Sequence, residues 1–190
     1  MEKIYLFLIL LFFILAFALK NITTYLSTKQ SIRGKSLKLT LSIVFSTLIY
    51  ILILFRLSFV KPKWIGEINL SQYSLFNTTG LLLVSIGFVL GILALIAMRN
   101  SWRVGIKYDQ KTELVTTGIY KYSRNPYFFS YDVLILGYIF IFPSIVLIAL
   151  YIPLVIIFHR MILEEEKYLE TVHKEAYLSY KKTTGRYIRL

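Results

Sequence analysis

The feature that most constrains this chain is a series of apolar runs of membrane-crossing length. Ile4 to Leu19, Leu39 to Phe55 and Leu81 to Met98 each approach the roughly 17 to 25 residues that a helix needs to cross the hydrocarbon core of a bilayer. A fourth run, Tyr127 to Phe158, spans 32 residues with Asp132 as its one charge. As a single helix it would reach roughly 48 Å at 1.5 Å per residue, too long for one crossing. Phe142-Pro143-Ser144 offers a turn near its middle, because proline lacks an amide donor and disfavours helix at the residue before it. The run therefore reads as a tight hairpin of two short helices, with Pro153 a kink point in the second. The expected fold is all-α: a multi-pass integral membrane protein with about five transmembrane helices, the last two forming the hairpin. Leu169, Val172, Ala176 and Tyr180 recur at helical spacing, so an amphipathic C-terminal helix is expected from Glu164 to Tyr180. One unit covers 1–190, with three crossings in 1–98 and the loop, hairpin and terminal helix in 99–190.

Composition agrees: 57% hydrophobic residues and a mean hydropathy of +0.66 are far too apolar for an ordinary soluble domain. A net charge of +12 raises the question of nucleic acid, but 18 of the 22 Lys and Arg lie in three segments flanking apolar runs. Five fall in Lys20 to Lys38, six in Arg99 to Arg124 and seven in Arg160 to Arg189, leaving Lys3, Arg56, Lys61 and Lys63 for the other side. With five crossings, the positive-inside tendency puts the N-terminus outside and the 99–124 loop and the tail in the cytoplasm. No nucleic-acid partner is expected. Ala16-Phe17-Ala18 resembles a signal-peptidase site, but cleavage there would leave the first basic loop outside, so an uncleaved helix is expected. Absence of cysteine excludes disulfides and thiolate nucleophiles. The nine glycines are scattered and form no phosphate-binding loop, and His159 and His173 stand apart, so no metal site is expected.

The residues that can carry chemistry lie between and after the apolar runs. Gly118 permits a tight turn, and Asn125-Pro126 redirects the chain into the next helix. Tyr120, Tyr122, Tyr127 and Phe128 offer flat faces for a purine or a sulfonium; an interfacial aromatic belt accounts for the same rings without function. Glu164-Glu165-Glu166 opens where the last apolar run ends. Neighbouring helical positions point about 100° apart, so one carboxylate can turn inward and hold an ammonium group, although an acidic run is also an ordinary solvated face. Arg160 is either an anchor that snorkels to the headgroups or a fixed cation for an anionic substrate group. Asp132 inside a membrane segment is either a substrate-facing candidate within reach of pairing with Arg160 or a residue that simply reaches water. Gly87 and Gly91 form a small-xxx-small pair, read as helix packing.

From Asn100-Ser101-Trp102 through Leu114-Val115-Thr116-Thr117-Gly118-Ile119-Tyr120, Arg124-Asn125-Pro126 and the Glu164 triplet to Tyr177-Leu178-Ser179-Tyr180-Lys181-Lys182, the C-terminal half resembles the isoprenylcysteine carboxyl methyltransferase family, within the wider group of membrane phospholipid methyltransferases. The resemblance implies S-adenosylmethionine as methyl donor, leaving as S-adenosylhomocysteine, and a lipophilic or prenylated acceptor drawn from the bilayer, most simply a carboxylate and alternatively a phospholipid amine. It implies a cofactor pocket of Leu114, Val115, Gly118, Tyr120, Asn125, Pro126 and Phe128, with Glu165 on the methionine ammonium. Arg160 would face the acceptor carboxylate, and Asn125 and Arg160 would be the catalytic positions. The short form looks like prokaryotic members, implying a plasma-membrane location. The usual Arg-His-Pro-x-Tyr pattern is here Arg124-Asn125-Pro126-Tyr127-Phe128: Asn keeps hydrogen-bonding capacity, whereas Phe keeps the ring and loses the hydroxyl. A non-catalytic lipid-binding protein on the same fold is the remaining reading.

Overall fold

A computed structural model of the chain describes residues 1–58, 66, 68 and 74–188. Lys61, Lys63 and Arg189, which entered the charge argument, lie outside the described residues. Among the described residues six α-helices follow one another: α1 (Glu2–Thr28), α2 (Leu37–Leu57), α3 (Ser74–Ala97), α4 (Pro126–Ile141), α5 (Ile145–His173) and α6 (Glu175–Thr183). No strand occurs among the described residues; Arg33 and Val104 form an isolated parallel bridge.

α1, α2, α3 and α5 are long and apolar enough to cross a membrane. Only 22 to 33% of their most apolar windows is buried within the protein. Hydrocarbon therefore has to cover the rest, because water would leave far too much apolar surface exposed. α4 is also apolar but has only 16 residues, roughly 24 Å of helix. The helix expected as the fifth crossing is thus shorter than the four of spanning length. It still reaches the far end of the bundle, where the Ile68 amide donates to Pro143 O (3.0 Å) and the Ile145 amide donates to Gly66 O (3.0 Å).

α4 packs mainly along α3, and α5 mainly along α2. The turn does fall at Phe142-Pro143-Ser144, with the Ser144 side chain capping α5 by accepting from the Leu147 amide. The pair around it is not a tight hairpin of two short helices, however. α5 runs 29 residues, and the closest partner of α4 is the helix before it. Glycine explains that preference: a Cβ on Gly87 would lie 2.6 Å from the Leu134 amide nitrogen, and one on Gly137 2.6 Å from that of Val84. Two backbones meet there as only Cβ-free residues allow. Polar ties within the apolar layer add to this: Tyr138 donates to Leu6 O (2.6 Å), and Tyr5 and Ser85 share a hydrogen bond of 2.7 Å.

The separate helix expected from Glu164 to Tyr180 is divided differently. Its first half continues α5 without a break beyond the apolar stretch, to His173. The chain then turns at Lys174, which takes a positive φ of 46°, and α6 carries Tyr177 and Tyr180. The helical spacing of Leu169, Val172, Ala176 and Tyr180 runs on through the turn in the sequence, so periodicity alone does not reveal it.

Candidate active site

At one end of the bundle converge the C-termini of α1, α3 and α5, the N-termini of α2 and α4, and α6. The loop after α3 is knitted to the α1–α2 loop by Gly34 donating to Val104 O and Val104 donating to Ile32 O, both 2.9 Å. Trp102 Nε1 reaches back to Asn21 Oδ1 on α1 at 2.8 Å. From α5, the Tyr168 hydroxyl donates to Lys107 O (3.1 Å) and Gln110 O (2.9 Å). From α6, Tyr180 donates to Tyr120 O at 2.6 Å, pinning the 3-10 turn Gly118–Lys121. Gly118 takes φ +61° there, a conformation open to glycine. Burial pushes the Tyr120, Tyr177 and Tyr180 hydroxyls well above their ordinary range, so they remain neutral donors.

Two cavities open within this frame. The larger, about 360 Å³, is bounded by Ile14 and Phe17 of α1, Ser42, Ser46 and Tyr50 of α2, and the rings of Trp102, Tyr127, Phe128, Tyr131 and Phe158. The rings brace one another: Trp102 meets Tyr127 edge-on at 5.0 Å between centroids, and Phe128 meets Phe158 at 5.0 Å. The smaller, about 80 Å³, lies against Leu114, Val115, Tyr168, Tyr177 and Tyr180. Met98, Arg103, Gly105, Tyr120, Arg124 and Glu165 line both. The larger volume is within the ~300 to 1,000 Å³ of small-molecule sites and the smaller is far below it. Together they form one site with an aromatic chamber and a polar annex.

The three adjacent glutamates have three different environments. Glu164 is paired with Lys38 at the start of α2. Glu166 is buried and holds two guanidinium groups: Arg186 donates through Nε (3.0 Å) and Nη2 (2.9 Å), and Arg124 Nη2 lies 3.0 Å from Oε1. Glu165, between them, lines both cavities and has no ion pair among the described residues. Burial first, and the neighbouring Glu166 second, push its carboxyl up to about 7. A half-buried carboxylate without a counter-ion is a receptor for a cation.

Other residues singled out from the sequence fall on and off this site. Leu114 and Val115 line the annex, Asn125 and Phe128 the chamber, and Tyr120 both. Pro126 is the buried first residue of α4 and, like Gly118, shapes the wall without lining it. Asn125 Nδ2 donates to Arg186 O at 3.2 Å, so its amide grips the C-terminal tail. Arg160 is exposed on α5 and lines neither cavity. Asp132 also lies outside both, with the Tyr151 hydroxyl on its carbonyl oxygen at 3.3 Å and no ion pair to Arg160 among the described residues.

The sequence reading left out Arg103 and the α2 wall, and it quoted Arg124 within a motif without giving it a role. Ser42, Ser46 and Tyr50 did carry a signal, since they repeat every four residues on one side of a mostly apolar helix. The tail residues Arg186 and Tyr187 carried none, because only folding brings them to Glu166 and to His159, whose Nδ1 lies 2.7 Å from the Tyr187 hydroxyl.

Among families, the model described as phospholipid methyltransferase matches residues 75–176, from the start of α3 into α6. No curated protein and no solved structure matches the chain significantly.

Proposed function

The chain belongs to the phospholipid methyltransferase family, and from that premise we propose that it transfers a methyl group from S-adenosylmethionine to a lipophilic acceptor at the membrane surface. The observation that carries this reading is Glu165, an unpaired carboxylate where an aromatic chamber meets a polar annex. S-adenosylmethionine brings an ammonium for such a carboxylate and a flat base for the tyrosine-rich walls. The annex alone is too small for a nucleoside, so the cofactor spans the junction, with Leu114, Val115 and Tyr120 against it. Ser42, Ser46 and Tyr50 then face the acceptor on the lipid side.

When bound, the cofactor supplies an electrophilic methyl: the acceptor lone pair forms the new bond to carbon as the sulfur–carbon pair returns to sulfur, leaving S-adenosylhomocysteine. The chain contributes position, exclusion of water by the ring cluster and a fixed charge pattern. A lipophilic carboxylate is the acceptor this pattern favours. It needs no base, Arg103 and Arg124 make the junction cationic, and the carboxylate within reach, Glu165, is committed to the cofactor. The description of the matching family favours a second reading, a phospholipid amine. That amine must lose a proton, and Asp132 lies away from both cavities.

Purified protein in nanodiscs, given radiolabelled S-adenosylmethionine and matched lipophilic acids and amines, tests the choice. Label in a base-labile ester supports the carboxylate; label in a stable methylamine replaces it with the amine. Arg160→Ala belongs in the same assay. Unchanged turnover on the acid would leave Arg160 as a membrane anchor, and a strong loss would give it the acceptor role that the family resemblance implies.

A further inference from the structure

Cations near the junction are mostly satisfied by the protein itself. Arg103 donates from Nε to Gln110 Oε1 (2.7 Å) and from Nη1 to Asn100 O (2.9 Å) and Trp102 O (2.8 Å). Lys107 pairs with Asp109 and Lys38 with Glu164. Arg124 differs. Its side chain is 7% exposed, its one ionic contact is Nη2 on Glu166, and Nε and Nη1 are buried with no partner among the described residues. Glu166 is largely taken by the two bonds from Arg186. Two guanidinium groups thus share one carboxylate, and the unmatched positive charge falls on Arg124, which lines both cavities. Buried guanidinium donors without acceptors are rare and call for an anion. The buried Tyr177 hydroxyl, on the annex wall, also has no partner among the described residues.

We propose that Arg124 is a carboxylate-binding residue on the wall between the two cavities, held open for that role by Arg186. Glu165 lies on the same wall with the opposite charge, so the ligand presents an ammonium and a carboxylate together: the amino-acid end of the cofactor, or an acceptor bearing its own carboxylate. Arg186 is a positioning residue. Its fork occupies both oxygens of Glu166; without it, Glu166 is free to take Arg124 bidentately and close the edge that faces the ligand. Arg186 reaches Glu166 from the tail after α6, outside the 75–176 segment that matches the family. That tail is also fixed by the Arg124 amide donating to Gly185 O at 2.9 Å. The inference rests on the methyltransferase reading.

Calorimetry on the full chain in nanodiscs tests it with two probes, S-adenosylhomocysteine and its decarboxylated analogue, on wild type, Arg124→Gln and Arg186→Gln, beside acceptor kinetics. If the cofactor supplies the carboxylate, wild type binds the analogue about tenfold or more weakly. Arg124→Gln then binds both probes at the analogue's level, and Arg186→Gln loses part of the discrimination. If the acceptor supplies it, discrimination is absent in wild type, and both variants raise the acceptor KM with kcat little changed. Variants that fold and alter neither discrimination nor acceptor KM, or that weaken both probes equally with the acceptor KM unmoved, would overturn the proposal while leaving the methyltransferase reading intact. Should Arg124→Gln fail to fold, Arg186→Gln decides by the same ratios. A folded wild type that binds neither probe removes the methyltransferase reading and this inference together.

Discussion

Glu165 illustrates how much one residue's surroundings decide. Its neighbours in sequence are also glutamates, yet one is neutralised by Lys38 and the other by Arg124 and Arg186. Glu165 alone of the three meets the cavities unpaired, and burial pushes it up to about 7. The sign of the pH effect follows. A carboxyl whose folded value lies above its unfolded value retains its proton longer in the folded state, so ionising it costs stability as pH rises through about 7. A bound ammonium relieves that cost. Cofactor binding should therefore tighten as pH rises toward 7, and weaken again above about 8 as an α-amino group, ordinarily near 7.7 to 8.0, loses its proton. Calorimetry between pH 5.5 and 9 should show this bell, and Glu165→Gln should flatten the acidic limb. Asn125 makes a different case: its amide holds the tail at Arg186 O. Asn125→Ala should loosen residues 184–188, seen as faster amide exchange there, and weaken cofactor binding several-fold.

At the scale of elements, the bundle depends on the close approach of α3 and α4. Gly87→Leu would drive a side chain into the Leu134 backbone, already 2.6 Å from a bare Cβ position. Overpacking of this kind typically costs about 1 to 3 kcal/mol, so a lower unfolding midpoint in detergent is expected. Gly118→Ala, with its nearest neighbour atom at 3.7 Å, should instead act through backbone strain at φ +61° and disturb ligand binding more than global stability. The apolar runs made the number and rough extent of the helices legible in the sequence, and Pro143 marked the turn between α4 and α5. Which helices pair was less legible, because the glycines of α3 and the single Gly137 of α4 show that a backbone can be approached but not by which partner. The division at Lys174 was hidden because the apolar stripe of α5 and α6 continues across it. In the site, Tyr120 and Phe128 were legible as rings beside turn signals, and the glutamate run at 164–166 as a place where one carboxylate could turn inward, with Glu165 singled out by the family resemblance. Arg186 was not, since its partner lies 20 positions away and their meeting depends on the packing of α6.

The whole molecule is a thin helical bundle with its polar machinery at one end and broad apolar flanks. Five crossings would set that end in the cytoplasm, where the basic segments gather. The absence of native cysteine makes a direct check simple. In intact cells, Glu2→Cys should react with a membrane-impermeant maleimide, whereas Tyr122→Cys, 67% exposed on the site loop, should react only after permeabilisation. Outside labelling of Tyr122→Cys with Glu2→Cys protected would reverse the orientation, and outside labelling of both would contradict the odd number of crossings between them. The account turns, however, on a cation-binding carboxylate where chamber and annex meet. The most direct test is calorimetric titration of S-adenosylmethionine into the protein in nanodiscs, comparing wild type with Glu165→Ala. Loss of a charge-assisted contact of about 1.5 to 3 kcal/mol predicts an affinity drop of roughly tenfold to a hundredfold. Equal affinity in the two folded proteins would contradict the role of Glu165, and no binding by folded wild type would contradict the methyltransferase reading itself.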